Sequence, residues 1–247
     1  MTQEKKRFSP ARFYRINIIF FIMIMVLGLL VFLLAVCSVR QVRVYGNTIY
    51  TDAQLEEIVL NDRYKSNGAW EVVRNRLHPR RDIPFVSKTE VSLKGFHTLV
   101  IRVSEKQIAG YIDGKDENHI YLDREGRVAE VNKKLLSSAI PVSGLSTKKR
   151  IVTGKSYPVA ENRITALRRI FHAKTSMNLN IDSVNFGDSG EISLSCGSVT
   201  VKMGTSDGLK EKLLRLSYIL PKVAGESGTL HFENFSSDNT DIVFDAH

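Results

Sequence analysis

The sequence predicts an α+β protein. A single N-terminal transmembrane helix is followed by a small domain of order β-α-α-β-β. A larger antiparallel β-sheet domain with helices on one face comes next. Three observations lead there. No charge falls between Arg15 and Arg40. Beyond Arg40 the apolar pattern switches repeatedly between a period of two and a helical period. Turn residues separate these blocks at short intervals, so neighbouring strands pair by default. The expected division is a cytoplasmic tail over 1–15, a transmembrane helix over 16–37, a first domain over 38–105 and a β domain over 106–247.

The helix comes first. As a helix, Ile16–Val36 rises roughly 30 Å, about one hydrocarbon core. Asn17 is its one strongly polar residue, at the edge where headgroups or water can reach it. A buried core helix of this length would carry a polar face, and this stretch has none. Lys5, Lys6, Arg7, Arg12 and Arg15 precede it against Glu4, while only Arg40 and Arg43 follow closely. That bias places the N-terminus in the cytoplasm and the remainder outside. A cleaved signal peptide has a shorter apolar region and small residues at the cut. Ala35-Val36-Cys37 offers one small residue, and Val36 is bulky for a lipid-modified cysteine. An uncleaved anchor in the lipid bilayer is therefore expected.

Two cysteines, Cys37 and Cys196, make no disulfide framework. Cys196 lies on an apolar strand face and reads as a buried, inert thiol. The net charge of +9 is concentrated partly in the tail, and the rest is spread along the outer part. It does not cluster with aromatic residues, and the outer part is across the membrane, so no nucleic-acid partner is expected.

In the first domain, Val42 and Val44 alternate with Gln41 and Arg43, a short strand. Gly46 and Asn47 end it as a turn. Thr51-Asp52-Ala53-Gln54 reads as a capping box, and Leu55, Ile58 and Val59 give the following helix one apolar stripe. A second helix is expected from about Ala69 to Arg76, with Trp70, Val73 and Leu77 on one side. Pro79 and Pro84 bracket a turn. Val91 and Leu93, then Leu99, Ile101 and Val103, alternate with polar neighbours around Gly95, giving a hairpin.

In the second domain, short strands are expected at Ile108–Ile112 and His119–Leu122. A tight turn follows at Asp123–Gly126, and Val128 starts the return. Lys148, Lys149 and Arg150 mark a solvated loop. A helix near Val159–His172 carries Ile164, Leu167, Ile170 and Phe171. Ile192, Leu194 and Cys196, then Val199, Val201 and Met203, flank a two-residue Gly197-Ser198 turn. Asp207 is placed to cap the next helix, whose stripe is Leu209, Leu213, Leu216 and Leu220, with Lys210, Lys212 and Arg215 outward. Pro221 stops it. Leu230 and Phe232 alternate with His231. After a turn at 236–239, Ile242 and Phe244 point inward in a last strand.

No catalytic constellation emerges. The six histidines are scattered, and no Cys-x-x-Cys occurs. There is no Gly-x-Ser-x-Gly turn. Gly154-Lys155-Ser156 resembles the tail of a phosphate loop but lacks its leading glycine. No metal, cofactor or enzymatic activity is expected. Thr240–Asp245 is the one physical handle, because a strand at a sheet edge can accept a partner strand through main-chain bonds.

A family resemblance rests on the motifs in order. Val42–Asn47 precedes a Thr-started helix. Ile83-Pro84-Phe85-Val86 and Leu99–Ala109 follow, then Asp123–Val128, Ile140–Gly144, Val201–Gly204 and the helix from Gly208. This arrangement behind one anchor resembles the bacterial division proteins of the FtsQ/DivIB family, whose first outer domain is a POTRA domain. Lys106-Gln107-Ile108 departs from the family's Arg-x-Pro, and Gly95-Phe96-His97 replaces its usual landmarks before Leu99. The resemblance implies a non-enzymatic divisome scaffold at the septum. Its C-terminal domain would hold single-pass partners of the FtsB/DivIC and FtsL type by strand addition, and the septal peptidoglycan synthase complex would lie nearby. The implied edge comprises Leu230, Phe232, Glu233, Asn234, Thr240, Ile242, Val243 and Phe244. Gly46 and Asn47 correspond to the POTRA turn and are equally explained as turn residues. The alternative is an extracytoplasmic polypeptide-binding or chaperone-like module containing a POTRA domain. The uncleaved anchor, and the lack of a barrel-forming strand series after residue 105, favour the division reading.

Overall fold

The computed structural model describes residues 10–60, 67–80, 82–235, 239 and 241–247. Most of the predicted tail, residues 1–9, lies outside the described residues. The chain divides into two compact units, Met1–Glu105 and Lys106–His247.

The first unit opens with α1, Pro10–Val36. Tyr14–Phe32 within it is long and apolar enough to cross a membrane once, and none of it is buried. Cys37 follows and is buried. Strand β1, Gln41–Tyr45, turns its valines to the core and its polar residues outward. At Gly46, φ is +85°, and a Cβ would sit 2.2 Å from the Val103 carbonyl oxygen, so only glycine closes this turn. Asn47 Nδ2 donates to Tyr50 O and Asp52 Oδ1, both at 2.8 Å. Helix α2, Asp52–Val59, begins with the predicted capping box: Gln54 N donates to Thr51 Oγ1, and Thr51 N donates to Gln54 Oε1. Strands β2, Val86–Lys94, and β3, Thr98–Glu105, form the hairpin, and β1 joins β3 in parallel to give the order β1-β3-β2.

Helix α3, Gly68–Leu77, has the expected position but the opposite facing. Trp70, Val73 and Leu77 are exposed, while Gly68, Glu71 and Asn75 are buried. Close approach decides this. A Cβ on Gly68 would lie 2.4 Å from Leu93 Cδ1 and 3.3 Å from Val39 Cγ2, so the glycine side is the one that fits against the sheet. Glu71 can be buried because Arg74 answers it, with Nη2 at 2.6 Å and Nε at 3.2 Å from Oε2. The same Arg74 Nη2 donates to Val59 O at 2.7 Å, tying α3 to the end of α2.

The second unit holds β4 (Gly110–Asp113), β5 (His119–Leu122), β6 (Val128–Asn132), β7 (Ile140–Ser143), β8 (Ser183–Phe186), β9 (Ile192–Cys196), β10 (Val199–Gly204), β11 (Gly228–His231) and β12 (Val243–Ala246). They make one nine-stranded sheet, ordered β12-β11-β10-β9-β8-β7-β4-β5-β6. Helices α4, Glu161–Ser176, and α5, Leu209–Ile219, pack beside one another. The sheet is mixed, not antiparallel as predicted. β7–β8 and β10–β11 are parallel because α4 and α5 each carry the chain back across the sheet, and β4–β7 is parallel as well. The β9–β10 hairpin turns on Gly197 and Ser198 as expected, since Cys196 pairs directly with Val199. Burial pushes the Cys196 thiol up to about 12, which keeps it unreactive near neutral pH.

Two details of α5 differ from the sequence expectation. Asp207 does not cap it: the N-cap is Gly208 in a left-handed conformation, and the Asp207 carboxylate accepts from Thr205 Oγ1 instead. Lys212 is buried, not outward, and its Nζ donates to Met203 O at 2.7 Å. Burial lowers its pKa below the ordinary 10.5, against the opposing pull of Asp207 and Glu233. Between that lowered value and 10.5, the unfolded chain binds more protons than the folded one, so stability rises with pH across this window. Below the window the full cost of the buried charge is present. In Lys212→Met this rise is expected to disappear, as read from thermal melts of both proteins between pH 8 and 10.5.

Candidate partner-binding edge

The sheet of the second unit ends on two strands, β6 and β12, and they are not equivalent. The start of β6 is covered by its own chain: Val128 N donates to Lys155 O at 2.8 Å, and Gly154 N donates to Val128 O at 2.7 Å. The Gly154-Lys155-Ser156 segment is thus an edge cover, with Gly154 at φ +83°. Among the described residues, β12 carries no such cover and pairs only with β11.

The register fixes which β12 groups are available. His247 N donates to Ser227 O at 2.9 Å, so the pair 227/247 exchanges main-chain bonds. By antiparallel alternation, 229/245 and 231/243 do the same. Val243 and Asp245 therefore spend their N–H and C=O groups on β11. Phe244 and Ala246 direct theirs away from it, toward the open side. On the solvent face, Val243 and Asp245 are exposed. On the core face, Ile242 and Phe244 are half-buried and pack against the main core.

Side chains hold β12 in place. The phenyl ring of Phe244 lies across Gly228, where a Cβ would stand 2.7 Å from its Cζ and 2.4 Å from the Asp245 carbonyl oxygen. Across the other face, His231 contacts Glu233 through Nδ1 and Asp245 through Nε2, both at 3.2 Å. Thr229 Oγ1 lies 3.2 Å from His247 Nε2.

The predicted edge residues thus separate into groups. Ile242, Val243 and Phe244 lie together on or beside the edge strand. Leu230 and Phe232 do not reach a partner: both are buried, and β11 is bonded on one side to β10 and on the other to β12. Glu233 and Asn234 form the exposed turn after β11, with Glu233 held to His231. Thr240 lies outside the described residues. Gly46 and Asn47 serve the turn of the first unit, as their geometry above requires. Sequence reasoning missed Gly228 and Ala246, and it named His231 only as part of the matching stretch 230–234. Gly228 pairs with Ala246, and a glycine diagonal to an aromatic, here Phe244, across an edge pair was the available signal for it. Among the described residues, no group of three His, Cys, Asp or Glu side chains is placed to hold a metal ion.

Comparison of the sequence with protein-family models and with curated proteins finds no match in either.

Proposed function

We propose that this chain is a membrane-anchored scaffold of the FtsQ/DivIB type, with a POTRA-like first unit and a partner-binding second unit. In this reading the tail faces the cytoplasm, α1 is the anchor, and both units lie outside the membrane at the division septum. The second unit holds single-pass coiled-coil partners of the FtsB/DivIC and FtsL type beside septal wall synthesis. The observation that carries the reading is that, among the described residues, the outer side of β12 is unpaired. It offers the outward N–H and C=O groups of Phe244 and Ala246 to an incoming strand, with Val243 and Asp245 flanking them. The order of motifs behind a single apolar helix supports the family assignment.

A proline substitution separates strand addition from simple contact. Proline is tolerated on an edge strand where its missing N–H faces outward. Ala246→Pro removes one donor to the partner and leaves the β11 ladder intact. It is expected to weaken partner binding about tenfold, roughly the worth of one main-chain bond. Val243→Pro instead breaks the ladder to β11 and is expected to release β12 altogether. The measurement is co-isolation from detergent-solubilised membranes, with the intact chain, each variant and a chain ending at Asn239. Recovery of small coiled-coil division proteins by the intact chain, reduced in Ala246→Pro, supports the reading. Equal recovery by all four chains moves the site elsewhere, and recovery of unrelated exported polypeptides instead replaces it with the chaperone-like module.

A further inference from the structure

The outward stripe of α3 is unusual for a small domain. Trp70, Val73 and Leu77 fall within about 60° of arc on the helix, on the side away from Gly68 and Asn75. They are 41 %, 51 % and 68 % exposed. A helix of ten residues normally turns such a stripe to its core.

The position of the stripe gives it a meaning. The first residue of α3, Gly68, donates its N–H to the Cys37 carbonyl at 2.8 Å, and Asn67 bridges Ser38. Both partners immediately follow the end of α1. The β2–β3 turn is held to the same place. His97 Nδ1 lies 2.9 Å from Ser38 O, and the His97 carbonyl accepts from Arg40 N and Gln41 N. That turn carries Phe96, 58 % exposed. Trp70 sits two residues into α3, about 3 Å along its axis from Gly68. Two exposed aromatic residues, Trp70 and Phe96, therefore lie within two residues of segments bonded to the chain just after its apolar helix.

Among the described residues of these segments, the exposed charges are basic. Arg40, Arg76 and Lys94 are exposed. Residues 37–43 and 94–98 contain no carboxylate, and the only one on α3, Glu71, is buried against Arg74. Tryptophan at headgroup level, apolar neighbours and basic flanks are what an interfacial helix needs.

We propose that Trp70, Val73 and Leu77, together with Phe96, form a bilayer-contact surface that seats the first unit on the anionic headgroup region of the membrane α1 enters. This rests on α1 as a membrane span. The surface fixes the first unit against the bilayer instead of leaving it to swing from the end of α1.

The protein supplies its own reporter, because Trp70 is its single tryptophan. The full chain is reconstituted into vesicles of phosphatidylcholine and phosphatidylglycerol, with or without bromine near the headgroup end of the acyl chains. Brominated lipid is expected to quench Trp70 emission by at least half, and aqueous iodide to quench it weakly. In Val73→Asp/Leu77→Asp, which changes exposed positions only, the two sensitivities are expected to exchange. Trp70 open to iodide and insensitive to bromine overturns the proposal. So does Trp70 shielded from both, which assigns the stripe to a second copy or a partner protein. Alkaline carbonate extraction of the same vesicles tests α1 separately. If the chain is extracted, the anchor reading fails along with this one; if it is retained, only the quenching decides.

Discussion

Arg74→Ala is expected to destabilise the first unit by about 3–5 kcal/mol, because it strips a buried carboxylate of its counter-charge. The Glu71 side chain is fully buried, and its Oε1 already lacks a hydrogen-bond partner among the described residues. Its Oε2 depends on two bonds from the Arg74 guanidinium. The same guanidinium satisfies the Val59 carbonyl at the end of α2, so the substitution also unties the two helices. Arg74→Lys keeps the charge but not the forked geometry, and it is expected to fall between wild type and alanine. Glu71→Gln/Arg74→Met removes both charges and is expected to regain much of the loss. Urea unfolding of the detergent-solubilised chain, followed through Trp70 on α3, measures all of these. An alanine variant within 1 kcal/mol of wild type would mean that solvent, not Arg74, supports Glu71.

Gly228→Val is expected to abolish partner binding, by at least a hundredfold, without unfolding the second unit. The position has no room for a side chain, since Phe244 Cζ and the Asp245 carbonyl already occupy it. Forcing a valine there costs roughly 1–3 kcal/mol of overpacking. A four-residue edge strand paired on one side holds little in reserve, so β12 is expected to detach rather than the core to rearrange. Proteolysis is then expected to remove the residues after Phe235 selectively, while the far-ultraviolet dichroism stays close to wild type. A Gly228→Val protein that binds its partner normally would show that β12 is not the docking strand.

Much of the fold was legible because side-chain period and turn chemistry act locally. The Thr51 box, the Gly197-Ser198 hairpin and the inward stripe of α4 depend on residues a few positions apart. The failures came where distant contacts decide. The facing of α3 is set by how closely Gly68 approaches Leu93, and by an ion pair whose far end is the Val59 carbonyl. Lys212 looks like a surface residue until the Met203 carbonyl is brought over it. The parallel pairs follow from crossovers, which period alone does not reveal. At the candidate edge, Ile242, Val243 and Phe244 were readable as a terminal strand. The burial of Leu230 and Phe232, and the choice of Phe244 and Ala246 as the outward-facing pair, required the register.

Amide hydrogen exchange at β12 tests strand addition most directly. In the protein alone, Phe244 and Ala246 N–H groups face solvent and are expected to exchange quickly, while Val243 and Asp245 are protected by β11. Adding the extracytoplasmic segment of a coiled-coil partner of the FtsB/DivIC type is expected to slow Phe244 and Ala246 at least tenfold and to leave the other two nearly unchanged. If the partner binds while Phe244 and Ala246 continue to exchange freely, the edge of β12 is not where this protein holds its partners.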